Sequence, residues 1–308
     1  MLQIRTSKIK STKGDTMLKK VPQTIKIAQI IGLISLALAS LTLSGGLLKA
    51  SQTGKINVIS REDGSGTRGA FVEIFGLLES QNGKKVDTTS LKAEITNSTA
   101  VMLTSISNDK NAIGYVSLGS LKPMVKGVKI DGVAPSVENI KSKKYGISRP
   151  FNVVIKQDSA LVRDFLDFSK ANSAVISKAG YIPLDISTKP NPKKLSGKII
   201  IAGSSSITPL MEKLKESYTA QNPNVNIEIL QSDSTTGINS VLQGIADIGM
   251  VSRELKDKEL SSGIKAEVLA IDGLAVIVNP QNKIEGLSKA QVKDIFSGKI
   301  LKWEELAK

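Results

Sequence analysis

Residues 198–220, KIIIAGSSSITPLMEKLKESYTA, decide how the rest of the chain is read. Lys198–Ala202 is a short, β-branched apolar run of strand length. Pro209–Ala220 has helical spacing, with proline in the first turn, where its missing N–H and fixed φ do no harm. The loop between them is Gly203-Ser204-Ser205-Ser206-Ile207. A helix start leaves backbone N–H groups unpaired and carries the positive end of the macrodipole, so such a loop is a candidate oxyanion cradle. Glycine allows close backbone approach, and each serine adds a donor.

Two more segments share this design: Ser232-Asp233-Ser234-Thr235-Thr236-Gly237, and Arg61-Glu62-Asp63-Gly64-Ser65-Gly66-Thr67-Arg68. One serine or threonine at such a position is ordinarily a plain N-cap. Three such loops in one chain, one flanked by arginine, point to a bound anion. Arg61 is suited to a bidentate pair with a tetrahedral oxyanion, and Asp63 two residues on is placed to hold the guanidinium. Taken alone, Arg61 and Asp63 would equally make a surface ion pair.

Outward from these loops, short apolar runs alternate with amphipathic stretches. Ile56–Ser60, Ala112–Leu118, Phe151–Ile155, Val225–Leu230, Ile248–Val251 and Leu274–Val278 read as strands. Ala70–Glu79, Leu161–Ala171, Ile238–Gln243 and Ala290–Phe296 read as helices, with Leu161, Phe165 and Phe168 on one face. The alternation argues for an α/β fold with mostly parallel sheets. The Pro/Lys-rich stretch Asp185–Gly197 reads as a linker.

Composition narrows the function classes. A chain of 308 residues has room for about two domains. Aromatic residues make up only 4%, which argues against an aromatic-lined sugar or nucleic-acid groove. Lys and Arg outnumber Asp and Glu by 42 to 28, yet no dense basic run is interleaved with aromatics, so nucleic acid is not the expected partner. Cysteine and histidine are absent. Their absence excludes disulfides, Cys/His zinc sites, Ser-His-Asp triads and Cys-His dyads; carboxylate or lysine chemistry stays open, but the expectation is of a protein that is not an enzyme and carries no cofactor.

At the N-terminus, Ile27–Leu48 is almost uninterrupted apolar or small residues, preceded by Lys19, Lys20 and Lys26. About 22 residues at 1.5 Å each suffice to cross a hydrocarbon core of ~30 Å. Residues 1–54 therefore read as a signal peptide or membrane anchor, with the remainder exported. Leu48-Lys49-Ala50 before Ser51 is an imperfect cleavage site, and no cysteine follows the apolar run, which rules out a lipoprotein anchor. Met17 directly precedes a conventional signal start. The chain is expected on the outer face of the cytoplasmic membrane if the segment stays, or secreted or periplasmic if it is cleaved.

The segments GKIIIAGSSSITPLMEKLKESYTAQNP, GINSVLQGIADIGMVSREL, GLAVIVNP, DIFSGKILKWEEL, ISREDGSGTRGAFVEI and NAIGYVSLGSL resemble the phosphate-binding component of bacterial phosphate ABC importers. The resemblance runs from residue 55 nearly to the end. Its block order is circularly permuted: in that family the block seen here from residue 198 comes first, and joining 308 back to 55 restores the usual order. A natural permutation and a misassembled gene both fit that observation. The resemblance implies a two-lobed, type II periplasmic-binding-protein-like α/β fold. One lobe would be 149–278, with crossings near Gly146–Phe151 and Val278–Pro280. The other would combine 55–148 with 279–308.

Carried over residue by residue, Ser206, the Ile207 backbone, Ser234 and Ser252 would contact phosphate from one lobe. Arg61, Ser65, Gly66 and Thr67 would contact it from the other, with Asp63 orienting Arg61. Arg68 and Arg253 are adjacent positive charges. Ser252 stands where some members have an aspartate that accepts the phosphate proton, which leaves Asp63 and Asp233 as candidates for excluding sulfate. The implied partners are inorganic phosphate and the permease and ATPase subunits of an importer, with the chain a monomer. An anion-binding surface or sensor protein, or a phosphatase, are the rival readings.

Overall fold

The computed structural model describes residues 52–186 and 193–307. The apolar segment Ile27–Leu48, its flanking lysines, the Leu48-Lys49-Ala50 junction and the middle of the Asp185–Gly197 linker lie outside the described residues. Among the described residues, no helix is long and apolar enough to cross a membrane.

The chain opens with β1 (Asn57–Arg61), α1 (Gly66–Ile74), β2 (Leu78–Gln81), β3 (Lys84–Asp87), β4 (Glu94–Thr96), α2 (Thr99–Asn108) and β5 (Ala112–Ser117). After β6 (Lys126–Gly127), β7 (Lys129–Ile130) and α3 (Val137–Lys141) come β8 (Ser148–Ile155), α4 (Ala160–Ala171) and α5 (Ser173–Lys178). Then follow β9 (Gly197–Ser204), α6 (Thr208–Thr219), β10 (Val225–Ser232), α7 (Ser234–Leu242), β11 (Ile248–Val251) and α8 (Asp257–Leu260). The last elements are β12 (Lys265–Val278), β13 (Gly286–Leu287) and α9 (Lys289–Phe296).

The main sheet runs β10-β9-β11-β8-β12-β5-β1-β4. Its flanks are parallel: β9 pairs with β10 and β11, and β1 with β5 and β4. Its centre is antiparallel, because β8 pairs with β11 and β12, and β12 with β5. The expectation of mostly parallel pairing thus fails in the middle, where β8 and β12 carry the chain in opposite directions between two halves of the sheet. β12 lies against β8 from Lys265 to Gly273 and against β5 from Leu274 to Val278, so it changes partner earlier than the crossing expected near Val278–Pro280.

Each half has its own core, with helices on both faces of the sheet. In one, Phe165, Phe168, Leu210, Met211, Leu214 and Tyr218 pack beneath Ile199 and Ile201. Tyr218 takes Phe165 and Phe168 edge-on, both with centroids 5.2 Å away. Ile238, Val241, Val154 and Val251 fill the opposite face. In the other half, Phe71 stacks on Tyr115 at 3.9 Å beside Phe296 and Trp303, and Met102, Leu103, Ile106 and Ile277 fill the reverse face. Each such side chain contributes about 1.5–3 kcal/mol by leaving water.

The first and last described segments meet in this second half. Ile56 N donates to Leu301 O (2.8 Å), Trp303 N to Gly54 O (3.0 Å), and Trp303 Nε1 to Asn111 O (3.2 Å).

Two helix boundaries differ from expectation for local reasons. α1 starts at Gly66 and stops before Gly76, whose φ of +68° ends it. Leu78–Gln81 then forms a hairpin with Lys84–Asp87 around Asn82-Gly83, with φ of 51° and 76°, the pair a mirror-image two-residue turn requires. α7 begins at Ser234, not Ile238, because Asp233 caps it through Thr236 N (2.9 Å).

Candidate anion site

Four helices, α1, α2, α6 and α7, begin where the two halves of the sheet meet. Ser65 caps α1 through Arg68 N (3.3 Å), Ser98 caps α2 through Val101 N (3.2 Å), and Asp233 caps α7. α6 has no side-chain cap. It follows a tight turn in which Ile207 N donates to Ser204 O (3.0 Å), with Pro209 in its first turn.

Seven hydroxyls converge between these helix starts. Thr67 Oγ1 lies 2.7 Å from Ser206 Oγ. Thr99 Oγ1 lies 3.3 Å from both Ser205 Oγ and Ser206 Oγ, and Thr99 N donates to Ser205 Oγ (3.2 Å). Ser204 Oγ donates to Ser252 Oγ (2.8 Å), Ser252 N donates to Ser234 Oγ (3.0 Å), and the Ser234 and Ser252 hydroxyls are 3.4 Å apart. All seven residues are buried, Ser234 and Ser252 completely. Hydroxyls both donate and accept, so they satisfy one another here and would equally satisfy an oxyanion.

The cation of the cluster is Arg61, 2% exposed at the end of β1, whose Nη2 donates to Ser205 Oγ (3.2 Å). Its Nε and Nη2 also make a bidentate pair with Glu62, both at 2.7 Å. Glu62, not Asp63, therefore orients Arg61. Ser65 N closes a turn on Glu62 O (3.0 Å), and the Asp63 side chain beyond it is 96% exposed and pairs with Arg68 (2.7 Å). Arg68 also holds Asp87 (2.9 Å) and donates to Arg61 O (2.9 Å). Tyr115 braces the loop from below: its hydroxyl lies 2.8 Å from Ser60 Oγ and accepts from Arg61 N (3.2 Å). Burial pushes that phenol up to about 12, so it stays neutral.

Gly66 lies where α1 meets α7, and a Cβ there would collide with Ser234 Oγ and crowd Ser252 Oγ. The Gly64 carbonyl accepts from both N and Oγ1 of Thr235 (3.2 Å each), which joins the Arg61 loop directly to the start of α7. Both glycines serve close approach between the halves.

The sequence-predicted residues Ser206, Ser234, Ser252, Arg61 and Thr67 thus come together, with Gly66 against them and Ser65 as the cap of α1. Ile207 does not offer its N–H, which bonds Ser204 O, and its side chain is fully buried in the core. Arg253 turns to Glu259 (2.8 Å to each carboxylate oxygen) and to Thr235 Oγ1 (3.4 Å), so neither it nor Arg68 enters the cluster. Asp233 spends its carboxylate on Thr236 N and Oγ1 (2.9 and 2.6 Å). Among the described residues no carboxylate bonds to any of the seven hydroxyls, and no group of acidic residues suits a metal ion. A surface groove of about 780 Å³ runs beside the contact, lined in part by Asp63, Arg68, Asp87, Arg253 and Lys256.

Thr99 was missed in the sequence, while Ser204, Ser205 and Glu62 were quoted within their loops without being singled out. Asn97-Ser98-Thr99 ahead of an apolar helix is itself a helix-start signal, but it lacks the glycine that marked all three other loops.

Residues 37–172 and 188–308 match the model of a family described as a PBP superfamily domain. The "Phosphate-binding protein PstS 2" of Streptococcus agalactiae serotype V is 56% identical over 265 residues, covering 84% of this chain and 90% of that protein. A crystal structure of a phosphate ABC transporter, phosphate-binding protein, from Streptococcus pneumoniae TIGR4 is 43% identical, with a TM-score of 0.66 over 82% of this chain and 100% of that one. The "Phosphate-binding protein PstS" of Bacillus subtilis is 36% identical, but over 119 residues only, 37% of this chain and 39% of that protein. With the match to the streptococcal proteins running along most of both chains, this chain belongs to the PBP superfamily and, within it, to the family of those phosphate-binding proteins.

Proposed function

We propose that this chain captures inorganic phosphate between the two halves of its sheet and delivers it to the permease and ATPase subunits of an ABC importer. The observation that carries the reading is the convergence of seven buried hydroxyls, four helix starts and Arg61 on one point between the halves. A micromolar site needs about −8 kcal/mol in total. Several charge-assisted hydrogen bonds at ~1.5–3 kcal/mol each exceed that before dehydration and closure are subtracted. The half carrying Ser206, Ser234 and Ser252 acts as one lobe and the half carrying Arg61 and Thr67 as the other. The protein works as a monomer on the outer face of the membrane, anchored or released according to the fate of residues 1–54, and catalyses no reaction.

The block order is, in this reading, an inherited circular permutation. A reordered chain breaks a collinear match into pieces, which accounts for the short match to the Bacillus subtilis protein beside the long one to the Streptococcus agalactiae protein. Pairing of residues 54–56 with 301–303 closes the second half where the usual order would run on unbroken.

Isothermal titration of the full-length chain with phosphate tests the function. One phosphate per chain at micromolar or tighter affinity is expected; no heat from a folded protein would refute it. Sulfate in competition is expected to bind within about a hundredfold of phosphate, because hydroxyls donate to either anion and no carboxylate among the described residues bonds to the cluster to repel the unprotonated one.

A further inference from the structure

Arg149 and Asp272 form the most deeply buried ion pair among the described residues, with side chains 2% and 0% exposed. Neither bonds to any of the seven hydroxyl oxygens. They face one another across β8 and β12, and Arg149 Nε and Nη2 donate to Asp272 Oδ2 at 3.1 and 3.0 Å. The third guanidinium nitrogen, Nη1, donates to the carbonyl oxygen of Ser252 (2.8 Å). The other Asp272 oxygen accepts from Ser117 Oγ (2.8 Å). Ser117 stands on β5 opposite Leu274, the first residue of β12 after its change of partner. A continuous path therefore runs from Ser252, through Arg149 and Asp272, to the other half of the sheet.

A buried ion pair is rarely the most stable filling for such a place, since an apolar pair of like volume avoids the desolvation cost. What an arginine supplies that an apolar side chain cannot is a rigid fork of donors. One prong meets the Ser252 carbonyl, a fully buried acceptor that would otherwise lack this charged donor. Ser252 is thereby gripped at both ends of its backbone, its N–H on Ser234 Oγ and its carbonyl on Arg149, which leaves its hydroxyl facing Ser204 and Ser234.

We propose that Arg149 is a positioning residue for anion binding: through the Ser252 carbonyl it sets where the Ser252 hydroxyl stands, and through Asp272 and Ser117 it ties that placement to the crossing of β12. The inference rests on the reading that phosphate binds at the hydroxyl cluster.

The test is titration of the full-length chain with phosphate at 10 °C, with thermal melts in parallel, for wild type, R149M/D272L, R149K and S117A. R149M/D272L is expected to keep a cooperative melt and one site per folded molecule while its Kd rises about tenfold or more, as loss of a charged hydrogen bond implies. R149K keeps the charge, but a single ammonium cannot hold Asp272 and the Ser252 carbonyl in the same geometry, so its Kd is expected to rise about fivefold or more. S117A is expected to weaken binding by about threefold. A merely structural role would lower the melting temperature and leave Kd unchanged. If R149M/D272L does not fold, R149K decides: a Kd within about twofold of wild type overturns the proposal. An unchanged Kd in S117A overturns the link to β12. Wild type that binds no phosphate would instead refute the functional reading, and this inference with it.

Discussion

The hydroxyls of Thr67 and Ser206 stand 2.7 Å apart across the contact between the two halves of the sheet, though 139 residues separate them in the chain. Each lies at a helix start, where unpaired N–H groups add to its own donor. Replacing Thr67 with valine keeps the shape and removes one member of the ring. Phosphate Kd is expected to rise about 5–150-fold, matching the ~1–3 kcal/mol lost when a buried polar partner goes unpaired, with the fold intact by circular dichroism. A Kd equal to wild type would remove Thr67 from the site.

Arg61 and its two acidic neighbours separate cleanly. Arg61→Ala is expected to weaken phosphate binding about a hundredfold or more, since it removes the buried charge of the cluster. Glu62→Gln is expected to weaken it less, by loosening the guanidinium that the Glu62 carboxylate holds at 2.7 Å. Asp63→Ala is expected to change Kd by less than about twofold, because its exposed carboxylate meets Arg68 instead. Titration of the three variants decides which carboxylate positions Arg61.

Gly66→Ala tests the fit between the halves. The added methyl would collide with Ser234 Oγ, and the nearest relief is separation of α1 from α7. The expected result is a weaker phosphate Kd, about tenfold or more, with a larger radius of gyration in X-ray scattering than wild type at saturating phosphate. Equal compactness and affinity would show that the contact yields without cost.

Acid should destabilise the protein through Glu259 and Glu267. Burial pushes each carboxyl up, but hydrogen bonds from Arg253 and Lys256 N to Glu259, and from Lys170 and Arg163 to Glu267, outweigh it and hold both below the usual range. A group whose folded pKa is depressed stabilises the fold above its unfolded value, near 4.3, and that contribution is lost as pH falls through the lower folded value. Urea midpoints measured from pH 7 to pH 3 should fall most steeply below about pH 4.5, and Glu267→Gln should flatten that limb. A profile unchanged by the substitution would contradict the assignment.

Strand and helix positions were largely legible because apolar runs and amphipathic periods are local. Lys198–Ala202 and Ile248–Val251 lie within or coincide with observed strands, whereas the first half of β12, where KAEVLAID mixes charge with apolar residues, was not legible. Members of the hydroxyl cluster were readable where a loop announced itself with glycine and hydroxyls, hence Thr67, Ser206 and Ser234, with Arg61 flanking one such loop. Thr99 was not, because its role depends on α2 meeting Ser205 from across the molecule. Nor could sequence choose Glu62 over Asp63, since the turn that sends Asp63 outward is made by backbone bonds. Arg149 and Asp272 look like ordinary charges until the pairing of β8 with β12 places them face to face.

The most direct test of the central claim is a crystal structure of the full-length chain grown with phosphate in sulfate-free conditions. One tetrahedral anion is expected within hydrogen-bond reach of Arg61, Thr67, Ser206 and Ser252. Phosphate held in the Arg68–Arg253 groove, with the hydroxyl cluster still bonded to itself, would contradict it.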